Sequence, residues 1–336
     1  MDKQLISKEF LSKMLKELAQ TKTVIAPVQN GKVLEYMPIS DESDIVMNDE
    51  LPYKSPKDCF FPQVEKILTF SSGEVEAHLS TEGRILFGVK PCDAEALRVL
   101  HEVFTTGQYQ DPFFMNHFDN SVIIAVGCLD EKPGCFCVQR GLDKTFSDFC
   151  DILLNDAGDD AYSLEYVSDK GKELLDQFEE TKGLTVPEER KAAEPDPSVK
   201  IIELSKDLDE AIFFDEENVL YDWGKATEIC QGCGICTFIC PTCHCFDLKD
   251  VEEAGEISRY RCWDSCVFPK FTLHASGHNP RMSKKERYRQ RVLHKYLYVN
   301  KNFGYTACTG CGRCIRSCPV GMNIKRIVEG VMEVLP

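Results

Sequence analysis

The chain of 336 residues contains two cysteine runs with the same spacing, C-x2-C-x2-C-x3-C, each followed by proline. The eight cysteines are Cys230, Cys233, Cys236 and Cys240 in the first run, and Cys308, Cys311, Cys314 and Cys318 in the second. This is the spacing of bacterial two-cluster ferredoxins. Structural zinc sites favour separated C-x2-C pairs, so two identical runs favour iron–sulfur clusters over zinc. The runs therefore predict two [4Fe-4S] clusters and one-electron chemistry.

The ferredoxin spacing also predicts crossed ligand sets. Three cysteines of a run hold one cluster, and the fourth, ahead of proline, binds the other cluster. The expected sets are Cys230, Cys233, Cys236 and Cys318 for one [4Fe-4S] cluster, and Cys308, Cys311, Cys314 and Cys240 for the other. Glycines between the ligands let the backbone turn around a cluster and offer N–H groups to sulfur, or serve only as tight turns.

Of the eighteen cysteines, ten lie outside these runs, and four of the ten follow strand-like segments in the first half of the chain. These four are Cys92, Cys128, Cys135 and Cys137. If the strand-like segments at residues 85–89 and 121–126 are parallel neighbours, the first two thiols emerge at the same sheet edge, where α/β proteins place their sites. The other two follow on the next loop. The four predict a third [4Fe-4S] cluster, with zinc or inert buried thiols as the alternatives.

A second group of four cysteines lies between the two runs, at Cys243, Cys245, Cys262 and Cys266. They could bind another metal, with His244 or His278 as an auxiliary ligand. Because Cys243 and Cys245 follow Cys240 so closely, packing around the clusters is the favoured interpretation. Cys59 and Cys150 have no partner by spacing and receive no assignment.

The first group of four cysteines, from Cys92 to Cys137, lies within residues 1–225, and the secondary structure of this region must position it. Apolar and β-branched segments predict buried strands at residues 23–28, 85–89 and 121–126. Residues 93–104 have helical spacing and lie between the last two strands. Alternating strands and helices predict an α/β domain that carries the possible third site.

Residues 226–336 contain both ferredoxin-like runs, with a long insertion between them. A minimal two-cluster ferredoxin has a much shorter separation, so we predict a mainly helical, ferredoxin-like dicluster domain. An amphipathic helix is expected at residues 323–334, beside the clusters. Residues 185–200 are rich in proline and charge and predict a linker before this domain. The overall fold class expected is α/β or α+β.

The composition limits the partners. A formal net charge of −16 disfavours nucleic acid, which requires a basic surface. No segment approaches the roughly 18 consecutive apolar residues of a membrane span. The first twenty residues are charged and lack the apolar core of a secretion signal, so the cysteines predict a reducing cytoplasm and an anaerobic setting.

Residues 281–301 are basic and could form a docking face, bring cations near the clusters, or lie on a solvated helix.

Several longer motifs occur together, in the order GVKPCDAEALRVLHEVF, VGCLDEKPGCFC, CQGCGICTFICPTCHCFD, RCWDSC, ERYRQRVLHKY and ACTGCGRCIRSCPVG. From about Pro27 to the C-terminus, the chain resembles the iron–sulfur subunit family shared by anaerobic sulfite reductases and sulfhydrogenases, the beta subunit in the latter. The resemblance includes Cys92, Cys128, Cys135 and Cys137 within its motifs. Cys262 precedes the WDSC part of RCWDSC and is a departure from the family's motif, which weakens a four-cysteine site in the second group.

The resemblance implies an electron-transfer subunit that has no substrate site. A flavin-binding partner would oxidise NAD(P)H, and a catalytic partner with sirohaem or a nickel–iron centre would receive the electrons. An assembly of the sulfite reductase type is expected, with a sulfhydrogenase, another nickel–iron hydrogenase or a bifurcating complex as alternatives. The chain itself lacks a G-x-G-x-x-G fingerprint that opens a helix. A free-standing ferredoxin-like carrier and an enzyme with an open iron site are the other classes.

Overall fold

The computed structural model describes residues 4–39, 44–47, 50–181, 192–193, 196–215 and 219–335. The chain forms two compact units, each assembled from three segments. The first unit consists of Met1–Phe61, Leu79–Lys132 and Gly141–Asp196, and the second of Pro62–His78, Pro133–Arg140 and Pro197–Pro336. This division differs from the predicted boundary at residues 225/226, because two early segments pack with the C-terminal part. The predicted linker at residues 185–200 lies mostly outside the described residues.

The described residues form eleven strands. They are β1 (Gln4–Ser7), β2 (Thr23–Asn30), β3 (Val33–Pro38), β4 (Val64–Ser71), β5 (Glu74–Ala77), β6 (Arg84–Val89), β7 (Ser121–Val126), β8 (Ile152–Gly158), β9 (Ala161–Tyr166), β10 (Phe246–Glu253) and β11 (Glu256–Trp263). The α-helices are α1 (Lys8–Leu18), α2 (Lys57–Phe60), α3 (Pro91–Thr105), α4 (Pro112–Asp119), α5 (Asp169–Leu175), α6 (Trp223–Ala226), α7 (Ile235–Phe238), α8 (Lys284–Leu293), α9 (Val299–Phe303), α10 (Arg313–Arg316) and α11 (Ile324–Val334). A π-helical turn, His294–Tyr298, joins α8 to α9.

The first unit contains a seven-stranded mixed sheet with the order β1-β9-β8-β7-β6-β2-β3. Strands β2, β6, β7 and β8 are parallel neighbours, and antiparallel strands flank them. The parallel strands are almost continuously apolar, as strands covered on both faces must be. The strands predicted from the apolar segments are present, and the predicted helix at residues 93–104 is part of α3.

This sheet places two cysteines at one edge. Strands β6 and β7 run in parallel register, with Val89 opposite Ala125. Cys92 lies in the first turn of α3, directly after β6, and is buried. Cys128 follows β7 by two residues. Both residues therefore lie beyond the carboxyl ends of neighbouring parallel strands, as the sequence predicts.

The second unit combines helices with a four-stranded antiparallel sheet of the order β10-β11-β4-β5. The insertion between the cysteine runs is therefore only partly helical, because its first half forms the hairpin β10–β11. Ala254 and Gly255 both have positive φ at the hairpin turn, with φ values of 53° and 86°. A two-residue turn with positive φ at both positions has a backbone twist that matches the twist of the flanking strands. Strand β4 joins the unit by pairing along β11.

No helix among the described residues is long and apolar enough to cross a membrane.

The second unit has a hydrophobic core between its longer helices. Val292 and Tyr296 pack in one cluster with Val328 of α11, and all three are fully buried. The expected amphipathic helix at residues 323–334 is present as α11 and contributes to this core.

A buried ion pair links β11 to β4. Arg261 Nη2 lies 2.6 Å from Glu65 Oε2, with side chains 2% and 9% exposed. Glu65→Gln leaves a buried guanidinium without its counter-charge, so we expect the free energy of unfolding to fall by about 3 kcal/mol. Urea denaturation of the full chain, followed by circular dichroism, measures the loss.

The matched control for this substitution is Asp250→Asn on the same sheet. Asp250 pairs with Arg259 at 2.7 Å, but both side chains are exposed. Its loss is expected to cost less than about 1 kcal/mol, because exposed pairs are screened by water. Equal losses in the two variants would contradict a stabilising role for the buried pair.

Candidate metal centres

The first cysteine run surrounds a small cavity of about 20 Å³. The structure brings together here the four cysteines of the first predicted ligand set, which are Cys230, Cys233, Cys236 and Cys318. The remaining wall is mostly apolar and includes Val267, Tyr288 and Met322. A dry cavity with four thiols and apolar walls has the donors that a [4Fe-4S] cluster requires.

The second cysteine run surrounds a separate cavity, also of about 20 Å³. It is lined by the second predicted set, Cys308, Cys311, Cys314 and Cys240. Arg291 and Lys295 also line it. Cys314 and Ile324 line both cavities, so the two cavities share a wall. The cysteines of each predicted crossed set thus line one cavity together, while the ligand sets themselves stay a prediction.

The two runs fold alike because they share a local pattern of glycines. The short helices α7 and α10 each begin after a glycine with left-handed backbone, Gly234 with φ 80° and Gly312 with φ 72°. Backbone N–H groups point at sulfur near the chain turns. The N–H of Gly232 donates to Cys230 Sγ at 3.4 Å, and the N–H of Met322 donates to Cys318 Sγ at 3.2 Å. Such bonds stabilise the thiolate form that binds iron.

A segment from the first half of the chain lies along the second run. The N–H of Phe136 donates to Gly310 O at 2.8 Å, and Cys135 Sγ donates to Cys311 O at 3.3 Å. Cys135 and Cys137 thus belong to the second unit, whereas Cys92 and Cys128 belong to the first. Convergence of all four on one cluster stays a prediction.

Two buried cations lie among the cysteines. Arg291 is 2% exposed; its Nη1 donates to Cys243 Sγ at 3.3 Å and its Nη2 donates to Cys236 O at 2.9 Å. Lys295, equally buried, donates to the hydroxyl of Thr242. Burial opposes both charges, but the thiolates around them outweigh it and raise the pKa of each cation. The basic stretch therefore brings cations near the cysteines, one of the three alternatives that the sequence left open.

The cations act in turn on the thiols. A hydrogen bond from Cys243 lowers the pKa of Cys240 well below its usual value, and Lys295 and Arg291 add to the effect against the opposing effect of burial. Burial raises the pKa of Cys236 and of Cys314. These two thiols must lose a proton to bind a metal, so metal binding and proton release are coupled at both cavities.

The sequence did not single out Arg291 and Lys295 individually, although a signal was present. Arg287, Arg291 and Lys295 recur every four residues and therefore share one face of the helix that continues from α8 through the π-helical turn. All three are buried. Three cations on one helix face, in a part of the chain that is rich in cysteine, form the pattern that would have identified Arg291 and Lys295.

The second group of cysteines is divided by the structure. Cys266 directs both its thiol and its backbone N–H to the sulfur of Cys245, and these bonds lower the pKa of Cys245 to about 7 against the effect of burial. Cys262 lies on β11 opposite Asp247 and is not part of that pair. His278 contacts His274 rather than a cysteine, with ring centroids 5.4 Å apart.

The surroundings of the two unassigned cysteines, Cys59 and Cys150, disfavour their thiolate forms. Burial raises the pKa of Cys59 to about 12 and also raises that of Cys150. Among the residues that the structure describes, no three His, Cys, Asp or Glu side chains are already gathered as around a single metal ion. This holds for the ferredoxin-like cysteines as well.

The family described as a 4Fe-4S dicluster domain matches residues 229–322, which span both cysteine runs and their cavities. This part of the chain is therefore similar to a 4Fe-4S dicluster domain, which supports iron–sulfur clusters here. The chain is also 26% identical over 330 residues to the sulfhydrogenase 2 subunit beta of Pyrococcus furiosus, with 97% of each chain covered. The two matches support an iron–sulfur sulfhydrogenase beta-subunit family for this chain and confirm the resemblance drawn from its motifs. No solved structure matches the chain with significance.

The contact between the second run and residues 133–140 depends on glycine. A Cβ at Gly312 would lie 2.4 Å from Gly134 O, and that distance is too short for any real contact. Gly312→Ala must therefore push the two backbones apart, in addition to the strain of about 1–2 kcal/mol from its left-handed φ. We expect a lower melting temperature and less iron per chain in anaerobically purified protein.

Gly321→Ala is the control for Gly312→Ala. Gly321 has the same φ of +72°, but a Cβ there would meet no atom within 4 Å. The Gly321→Ala variant should lose only the stability that the backbone strain costs, and it should keep its iron. If both variants lost iron equally, the close approach to Gly134 would not matter for the site.

Proposed function

We propose that the chain is the electron-transfer subunit of an oxidoreductase complex and relays single electrons through two [4Fe-4S] clusters. The observation that carries the proposal is the pair of cavities. The first is lined by three cysteines of the first run with Cys318 and Cys314 of the second, and the second by three cysteines of the second run with Cys240 of the first. Four thiols and apolar walls fit a cubane cluster, which supplies reversible one-electron chemistry when bound. We assign the crossed ligand sets predicted from the spacing to these two cavities.

The residues around the cavities have two tasks in this proposal. Apolar side chains such as Val267 and Met322 exclude water from the first cavity. Arg291 and Lys295 place positive charge beside the sulfur ligands, and positive charge favours the electron-rich form of a cluster. The wall shared through Cys314 and Ile324 supports transfer from one cavity to the other, because it keeps the two sites adjacent.

A third [4Fe-4S] cluster on Cys92, Cys128, Cys135 and Cys137 is proposed as the entry or exit of the relay. The support is the position of Cys92 and Cys128 beyond neighbouring parallel strands, together with the hydrogen bond from Cys135 to the second run. Zinc and inert thiols remain the alternatives at these four residues. No substrate site is proposed, so the chain acts through its partners.

The proposed partners are a flavin-binding subunit that oxidises NAD(P)H and a catalytic subunit. The name of the Pyrococcus furiosus relative favours a nickel–iron catalytic partner, as in a sulfhydrogenase, over the sirohaem partner of the sulfite reductase type that the motifs first suggested. We propose a cytoplasmic and anaerobic setting for this complex. A bifurcating complex is a variant of the same proposal.

Iron content and EPR of the anaerobically purified chain test the clusters. Two clusters give about eight irons and a coupled EPR signal on reduction, whereas a third raises the count to about twelve. Cys318→Ala should disturb the cluster on the first run, and Cys240→Ala the cluster on the second, because the sets are crossed. Replacing Cys135 and Cys137 together by serine should remove only the third.

Cys262→Ala is the matched control, since Cys262 lies on β11 outside both cavities. It should keep all the iron. A chain without iron would end the proposal of an electron relay. Twelve irons that persist without Cys135 and Cys137 would rule out the third site. If Cys318→Ala and a substitution of another cysteine of the second run removed the same EPR signal, the ligand sets would not be crossed.

Purification from the native source tests the complex. We expect the chain to copurify with a flavoprotein and a metal-containing catalytic subunit in fixed stoichiometry. Size-exclusion chromatography with mass spectrometry of the peak measures the composition. A lone monomer that exchanges electrons with many proteins would favour the free-standing carrier instead, and a nickel–iron or sirohaem spectrum in the peak separates the two assembly types.

A further inference from the structure

A third cavity in the second unit contains metal-binding side chains that neither cysteine run uses. Its volume is about 650 Å³, and its lining includes Cys245, Cys266, His244 and His294. The residues come from three places: the loop after the first cysteine run, the segment after β11, and the helix that begins with α8. The N–H of Asp264 donates to Cys245 O at 2.9 Å and holds the first two of these together.

The two thiols of this cavity form one pair. The Cys266 thiol and the Cys266 backbone N–H both donate to the sulfur of Cys245. An N–H bond to sulfur is typical of cysteines that bind metals, because it orients the thiolate and tunes its basicity. Neither cysteine belongs to a ferredoxin-like ligand set, so nothing in the two predicted clusters requires this arrangement.

The two imidazoles form a second pair, with ring centroids 5.5 Å apart. His244 Nδ1 lies 3.1 Å from Thr242 O. A carbonyl oxygen only accepts hydrogen bonds, so Nδ1 carries the proton and donates, and the lone pair of the neutral ring is on Nε2. A histidine whose far nitrogen donates to a backbone carbonyl is the usual form of a metal ligand.

We propose that Cys245, Cys266, His244 and His294 bind a transition-metal centre through two thiolates and two imidazoles. Such an S2N2 donor set selects zinc or an iron–sulfur centre over magnesium or calcium, which prefer oxygen ligands. The thiol pair and the imidazole pair line the same cavity but do not yet converge on a point, so binding draws them together. This centre is distinct from the proposed relay clusters and does not depend on them.

Metal analysis of the anaerobically purified full chain tests the centre. We expect about one zinc per chain for a mononuclear site, or additional iron with acid-labile sulfide for an iron–sulfur centre. Cys266→Ala and His294→Gln should each weaken the binding of this metal at least ~10-fold in chelator competition. The relay clusters, followed by EPR, should persist in both variants, which separates this result from a failure of the proposed function.

The control is the double variant His274→Gln with His278→Gln. These imidazoles are also a pair, 5.4 Å apart, but neither lines the cavity that holds the four proposed ligands. Their loss should leave the metal in place. If Cys266→Ala does not fold, His244→Gln gives the same test, and cobalt substitution should produce a thiolate-to-cobalt absorption band that His244→Gln alters.

Three results would overturn the proposal. The first is a chain with no metal beyond that of its relay clusters. The second is a metal that is retained equally by Cys266→Ala, His294→Gln and the control. The third is a disulfide between Cys245 and Cys266 in the metal-free, anaerobically prepared protein, found by differential alkylation and mass spectrometry.

Discussion

The positive charge buried beside the cysteines is the interaction on which the second unit depends. Gathering eight cysteines around two adjacent cavities concentrates negative charge when their thiols ionise, and an apolar surrounding cannot screen it. Arg291 and Lys295 supply the opposite charge from one helix face, and Arg287 anchors the same face by donating to Val267 O at 3.0 Å. The helix begins at a capping box formed by Ser283 and Glu286, which fixes where that face starts. The position of each cation therefore follows from one helix and its cap.

The two cavities are coupled through their common wall and their common cations. Cys314 and Ile324 line both, and Arg291 contacts Cys236 of the first run while it lines the cavity of the second. A charge gained in one cavity therefore changes the electrostatic potential in the other. The two cavities therefore behave as one electrostatic unit rather than as two independent sites.

The sequence predicted those features that short-range patterns determine. The spacing of the cysteine runs, with their glycine turns, was enough to predict which cysteines line a cavity together, because three of each predicted set lie within one loop. The strands at residues 85–89 and 121–126 were evident from their apolar composition. The boundary at residues 225/226 could not anticipate the pairing of β4 with β11, which joins segments far apart in the chain. Cys135 was grouped with Cys92 and Cys128 because its loop follows Cys128 directly, yet Phe136 of the same loop donates to Gly310 O within the second unit.

The pairing of β4 with β11 has a consequence for synthesis of the chain. At roughly 5–20 residues per second, β4 leaves the ribosome on the order of ten seconds before β11 is made. During that interval the β4–β5 hairpin presents an unpaired strand edge, the kind of surface that invites wrong partners. Residues 133–140 likewise precede the second cysteine run, which lies near the C-terminus, by a long stretch of chain. The second unit therefore cannot be completed before residues 308–318 have been made, and iron binding at the two proposed sites has to follow that step.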